Sequence, residues 1–258
     1  MQQSDGVVVR HRQIRAERPA PVASITAAIL VGGLGTRLRA QVPDRPKALV
    51  EIAGRPFLSY QLDQLAAAGV ETAVLCTGYR GEQIRAAFGD AYRELRLLYS
   101  QEPTPRDTAG ALRFALPLLG SAAVLVMNGD SLCAADLDAC WRRYQAQGVD
   151  ASMLVTHVLD ASRYGRVRLN RQGRIVRFEE KSARQAAGWI NAGVYVLSRR
   201  LIERLPPGRA VSLEREVFPR LAREGRLSGS RSRGRFLDIG TPESYRLAER
   251  FIRQGGAP

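Results

Sequence analysis

The stretch that decides the fold reads Thr26-Ala27-Ala28-Ile29-Leu30-Val31-Gly32-Gly33-Leu34-Gly35-Thr36-Arg37-Leu38, with Pro46-Lys47 following it. Its first six residues form an apolar run of strand length. The glycines that end the run allow a turn that gathers successive backbone N–H groups around one anion. Arg37 and Lys47 add full positive charge at the same place. A strand that delivers such a loop predicts a site for a polyphosphate at a strand end.

Working outward, apolar runs predict strands over 26–31, 72–77, 95–99 and 122–127, with helical periodicity between them. Pro56 and Gly69 punctuate one helix, and 81–88 and 108–119 read as two more. Strict alternation predicts an α/β fold: a doubly wound, mostly parallel, Rossmann-like sheet with helices on both faces. Beyond Asp150 the pattern changes to strands with short connections at 151–158, 166–169, 175–178 and 190–197, expected to extend the sheet and build a second, smaller, β-rich half of the pocket. Thr241-Pro242-Glu243 opens a C-terminal helix with an N-cap and an N1 proline. Residues 1–24, rich in arginine and proline, read as an extension outside one domain spanning 25–258. Residues 226–235 read as a basic loop.

Two familiar phosphate loops do not fit. A dinucleotide fingerprint needs a third glycine where Leu38 stands, and a P-loop needs Gly-Lys-Ser/Thr at the helix start. Of 39 basic residues only Lys47 and Lys181 are lysine, which marks two places where a compact, flexible ammonium is wanted instead of a planar fork. His11 and His157 are too few for a histidine-based metal site or a Ser-His-Asp triad, and Cys76, Cys133 and Cys140 lack disulfide or zinc spacing, so a reducing cytoplasm fits best. The net charge of +14 suits an anionic ligand, but the arginines are spread along the chain and aromatics are 7%, which argues against nucleic acid. No apolar stretch reaches the roughly 18–20 residues of a membrane span, and no signal-peptide core is evident.

In its Gly-Gly-x-Gly-Thr-Arg-Leu and downstream Pro-Lys, the chain resembles the nucleoside-triphosphate:sugar-1-phosphate nucleotidylyltransferases, over 25–251. Its spacing is most similar to the D-glycero-D-manno-heptose 1-phosphate guanylyltransferases. The match is carried by Arg55-Pro56-Phe57-Leu58, Tyr164-Gly165-Arg166-Val167, Phe178-Glu179-Glu180-Lys181, Ile190-Asn191-Ala192-Gly193-Val194-Tyr195, Ser212 with Glu214, and Phe236-Leu237-Asp238-Ile239-Gly240-Thr241-Pro242-Glu243.

That resemblance implies a nucleoside triphosphate and a sugar 1-phosphate as partners, with pyrophosphate released, and Mg2+ as cofactor. It assigns Arg37, Lys47 and Asp130 to catalysis and Asp130 with Asp238 to the metal. Leu30, Gly32, Gly33, Gly35, Thr36, Arg37, Glu102, Asp107, Thr108, Ala109 and Gly129 are implied to hold the nucleotide, and Gly165, Glu180, Lys181 and Asn191 the sugar phosphate. An ionised Glu102 only accepts hydrogen bonds, which suits the adjacent N1–H and N2–H donors of guanine. Asp107 departs from the glycine that the resemblance implies is common there, an acidic residue being shared with some uridylyl-transferring relatives, and so bears on nucleotide preference. The alternatives are a hexose 1-phosphate guanylyl- or uridylyltransferase, a non-catalytic nucleotide-sensing subunit of the same fold, and an RNA-binding protein using the basic charge. A homo-oligomer is compatible with the sequence.

Overall fold

The computed structural model describes residues 21–33, 35, 45–179 and 186–256. In chain order they form β1 (Thr26–Leu30), the small hairpin β2 (Glu51–Ile52) and β3 (Arg55–Pro56), α1 (Phe57–Ala67), β4 (Thr72–Thr77), α2 (Gly81–Phe88), β5 (Ala91–Tyr92) and β6 (Leu95–Gln101). There follow α3 (Asp107–Ala115), β7 (Ala123–Asn128), β8 (Ser131–Cys133), α4 (Leu137–Gln147), β9 (Ala151–Val158), β10 (Arg166–Leu169) and β11 (Ile175–Glu179). The chain ends with β12 (Gly188–Ser198), α5 (Arg199–Glu203), α6 (Phe218–Arg223), β13 (Leu227–Ser232), β14 (Phe236–Asp238) and α7 (Pro242–Phe251).

The main sheet runs β11-β10-β12-β7-β1-β4-β6-β5, with β9 beside β12 and β13 beside β9. Strands β7, β1, β4 and β6 are mutually parallel, and β12 runs antiparallel to β7. Period-two alternation splits the core between the two faces. Ala28, Val74, Val124 and Val126 pack on one side, and Ala27, Ile29, Leu75 and Leu125 on the other. Strands buried on both faces read as continuous apolar runs, which is why the sequence shows β1, β4 and β7 so plainly, whereas β6 carries exposed Arg96 and Gln101.

At 11 residues β12 is the longest strand, and it serves both halves. Val194–Ser198 pair with β7, while 188–191 and 195–197 pair with β9, the register shifting between Asn191 and Tyr195. Gly193, at φ +74°, sits in that irregularity, where a Cβ would lie 2.3 Å from Ser131 Oγ and 3.2 Å from Asn128 Cβ. The site's floor therefore needs a glycine both for its conformation and for space.

Three expectations change. Residues 226–235 are not a loop: Leu227–Ser232 form β13, in parallel register with β9 from Leu227↔Ala151 to Ser232↔Thr156. The extension does not reach Ser24, because Val22 is fully buried in the core and its amide donates to Asp138 Oδ1 at 2.9 Å; residues 1–20 lie outside the described residues. The third helix starts at Asp107 and gives way at Leu116 to a 3-10 turn containing Pro117, whose missing N–H cannot continue it.

Candidate active site

The loops after β1, β6 and β7 meet at the carboxyl edge of the parallel strands and open into two adjoining basins. One, of about 780 Å³, is lined by Leu30, Gly32, Gly33, Gly35, Glu102, Thr108 and Gly129, among others. The second, of about 550 Å³, includes Tyr164, Gly165, Asn191, Glu214 and Asp238. Asp107, Asn128, Asp130 and Arg215 line both, so the basins share a seam.

The seam is built from α1 upward. Buried Gln61 donates its Nε2 to the carbonyls of Asn128 and Ser131 at 2.7 and 2.9 Å, clamping the turn that carries Asp130. The Ile239 amide donates to the Asp130 carbonyl at 2.9 Å, and β14 pairs with β8 so that Asp238 stands opposite Ser131. Two carboxylates are thereby held on neighbouring backbone. Lys47 Nζ donates to Asp130 Oδ2 at 2.9 Å, with the lysine largely buried and the aspartate half-exposed to the cleft. Asp238 Oδ2 accepts from Tyr164 OH at 2.6 Å and Oδ1 from the Gly240 amide at 2.7 Å. Burial and the adjoining Asp238 push the Tyr164 phenol well up, so it remains a donor.

In the larger basin Glu102 is half-buried. Its Oε1 would lie 3.1 Å from a Cβ on Gly32, so the glycine lets the carboxylate approach the loop after β1. Its Oε2 is buried without a hydrogen-bond partner. Burial pushes the Glu102 carboxyl up to about 7, against the opposing pull of the Arg106 amide and guanidinium. Cys76 lies behind it with its thiol pushed up to about 12 by burial, and is no nucleophile.

A polar network runs under the wall between the basins. Thr108 Oγ1 donates to Glu214 Oε2 at 2.7 Å, Ser212 Oγ donates to the same oxygen at 3.2 Å, and Tyr195 OH donates to Glu214 Oε1 at 3.3 Å. Tyr195 OH in turn accepts from Asn191 Nδ2 at 2.8 Å and Asn128 Nδ2 at 3.2 Å. Burial raises the Glu214 carboxyl, against these donors.

Of the expected site residues, Lys47, Asp130 and Asp238 converge at the seam. Leu30, Gly32, Gly33, Gly35, Glu102, Asp107, Thr108 and Gly129 line the larger basin, and Gly165 and Asn191 the smaller. Ala109 does not join them: it is fully buried in the core, and its amide donates to the Val211 carbonyl. Thr36, Arg37, Glu180 and Lys181 lie outside the described residues. Asn128 and Arg215 are additions to the expected site residues, and Tyr164, Tyr195 and Glu214 entered the sequence reading only as matching residues. A polar run such as Ser212-Leu213-Glu214 inside an apolar segment was the available signal.

Residues 26–255 match the nucleotidyl transferase family model. The chain belongs to that family. Among relatives of known sequence, it is 36% identical over 237 residues to a mannose-1-phosphate guanylyltransferase of Mycobacterium tuberculosis, covering 91% of this chain and 66% of that one. It is 34% identical over 227 residues to a D-glycero-alpha-D-manno-heptose 1-phosphate guanylyltransferase of Aneurinibacillus thermoaerophilus, covering 88% of this chain and 98% of that one. Among solved structures, HddC from Yersinia pseudotuberculosis superposes with a TM-score of 0.78 at 29% identity, covering 88% of this chain and 99% of that one. HddC has also been solved complexed with GMP-PN. The mostly parallel sheet is completed by β9 to β12, which are joined by antiparallel pairings. Among the described residues no helix is long and apolar enough to cross a membrane.

Proposed function

We propose that this nucleotidyl transferase joins GTP and a sugar 1-phosphate, D-glycero-D-manno-heptose 1-phosphate in the first instance, into a GDP-sugar with release of pyrophosphate. The observation that carries the reading is the seam: two basins that meet where Lys47, Asp130 and Asp238 stand together. A sugar 1-phosphate oxygen attacks the α-phosphorus while the bond to the pyrophosphate oxygen breaks in line. Such a reaction asks the protein chiefly for positioning and charge stabilisation. Lys47 supplies positive charge at the seam and meets the oxygens of the phosphoryl group under attack. The glycine-loop amides, with Arg37, hold the departing pyrophosphate. Glu102, a carboxylate with an unpartnered buried oxygen, accepts from guanine N1–H and N2–H. Asn191 and the Gly165 backbone face the sugar, with Glu180 and Lys181 assigned there by resemblance.

The donor set fits Mg2+, which takes one or two carboxylates, keeps several waters and adds substrate phosphates. Among the described residues no cluster of three or more histidine, cysteine or acidic side chains competes with that arrangement. Asp130 and Asp238 would hold the ion, whose contribution when bound is to neutralise phosphoryl oxygens. Three free, buried cysteines accord with work in a reducing cytoplasm.

A second reading keeps the chemistry and takes mannose 1-phosphate, as in the mycobacterial relative. A matrix of five nucleoside triphosphates against heptose, mannose and glucose 1-phosphates, followed by pyrophosphate release with Mg2+ and again with chelator, tests both. The expected result is turnover with GTP that chelator abolishes. Preference for a pyrimidine triphosphate would overturn the guanine assignment, and no release with any pair would overturn the reaction.

A further inference from the structure

Arg215 has no part in the reading above, yet it lines both basins. Its place follows from the local backbone. Leu213–Val217 form a single π-helical turn, and Ser212 Oγ accepts from the Arg215 amide at 3.2 Å to start it. Glu214 goes inward to the buried network, while its neighbour Arg215 is exposed toward the cleft. Single π turns recur at functional sites because they turn side chains in directions an α-helix cannot.

Asp107 meets Arg215 from the start of α3. Its φ is +59°, left-handed backbone that is uncommon away from glycine and best tolerated by aspartate and asparagine. Its Oδ1 accepts from the Thr108 amide at 2.9 Å, and its Oδ2 pairs with the Arg215 guanidinium. Position 107 thus carries a side chain whose carboxylate is occupied by its own helix and by Arg215.

We propose that Arg215 is a further substrate-binding residue: held at the seam by Asp107, its guanidinium donates to the phosphoryl oxygens that link nucleotide to sugar. The inference rests on the nucleotidyl transfer argued above and adds a cation to it. Charge supports it. At the seam each carboxylate has its own cation, Lys47 on Asp130 and Arg215 on Asp107, so without Arg215 incoming phosphoryl groups would face an unpaired Asp107 carboxylate. A guanidinium carries five N–H donors in a rigid fork, so the bond to Asp107 leaves others for phosphate.

Calorimetric binding of GDP-D-glycero-D-manno-heptose, GDP-mannose and UDP-glucose to the purified full chain decides the matter. Arg215→Ala should weaken the best of the three at least tenfold and raise the KM for sugar 1-phosphate, with the thermal midpoint unchanged. Arg215→Lys should recover part of the loss, because charge returns without the fork. Asp107→Asn, which keeps the backbone conformation and an oxygen for Thr108, should lose less than Arg215→Ala. An Arg215→Ala protein that binds within twofold of wild type would overturn the inference alone. So would equal losses in Arg215→Ala and Asp107→Asn with lowered midpoints, the signature of a merely structural pair. A wild-type chain that binds none of the three would remove the functional reading as well.

Discussion

Glu102 lies in a setting where burial, more than any charged partner, governs its hold on a proton. Because its carboxyl titrates at about 7 while guanine recognition needs the ionised acceptor, kcat/KM for GTP should rise as pH increases through 7 and level off above it. Glu102→Gln should flatten that profile and cost about 2–3 kcal/mol, roughly 30- to 150-fold, by removing a charged acceptor from two donors. Initial rates at limiting GTP across the pH range check both, and an unchanged profile in the variant would remove Glu102 from base reading. At this scale the sequence was informative where chemistry is concentrated. Lys47, one of two lysines in a chain that otherwise uses arginine, does stand at the seam. Tyr195 was not legible as a polar hub, because a tyrosine within an apolar strand looks like core packing until β7 brings Asn128 to its hydroxyl and the irregularity in β12 lets Asn191 of the same strand reach it.

Among elements, the irregularity in β12 is the most exacting. Gly193→Ala should cost about 2–4 kcal/mol, from left-handed backbone and a Cβ driven into Ser131, and should raise the KM for the sugar 1-phosphate. Gly148→Ala, at φ +57° with no neighbour within 4 Å, isolates the backbone part and should cost only about 1 kcal/mol. Thermal midpoints of the two variants compare them directly, and equal values would mean that β12 tolerates the extra atom. Strands β1, β4 and β7 were legible because burial on both faces leaves an uninterrupted apolar run. By contrast, β13, Leu-Ser-Gly-Ser-Arg-Ser, carries the composition of a loop. It becomes a strand through its ladder with β9, a long-range pairing that local propensity does not report.

For the whole molecule, the raised carboxyls of Glu102 and Glu214 link folding to pH. Folded, both hold protons more tightly than they do unfolded, so their contribution to stability is fully present below the ordinary carboxylate range. For Glu102 it is lost as pH rises through about 7. Glu102→Gln should therefore melt above wild type at pH 8, with the difference vanishing near pH 4. Differential scanning of both proteins across that range measures it, and a difference that grows toward acid would contradict the linkage. The +14 net charge, so conspicuous in the sequence, is distributed along the chain and says little about the site, which depends on a few placed charges.

Strand β12 also bears on how this chain could be recombined with its relatives. It is encoded late, beyond Asp150, yet its second half is hydrogen-bonded to β7 at the heart of the nucleotide side. A chimaera joined near Asp150 would import a foreign strand into the middle of the host sheet, while a fragment ending there would present the bare edge of β7 to solvent. Exchange of sugar preference by wholesale transplant is therefore barred by the main chain itself, and swaps must be confined to the loops that this strand carries.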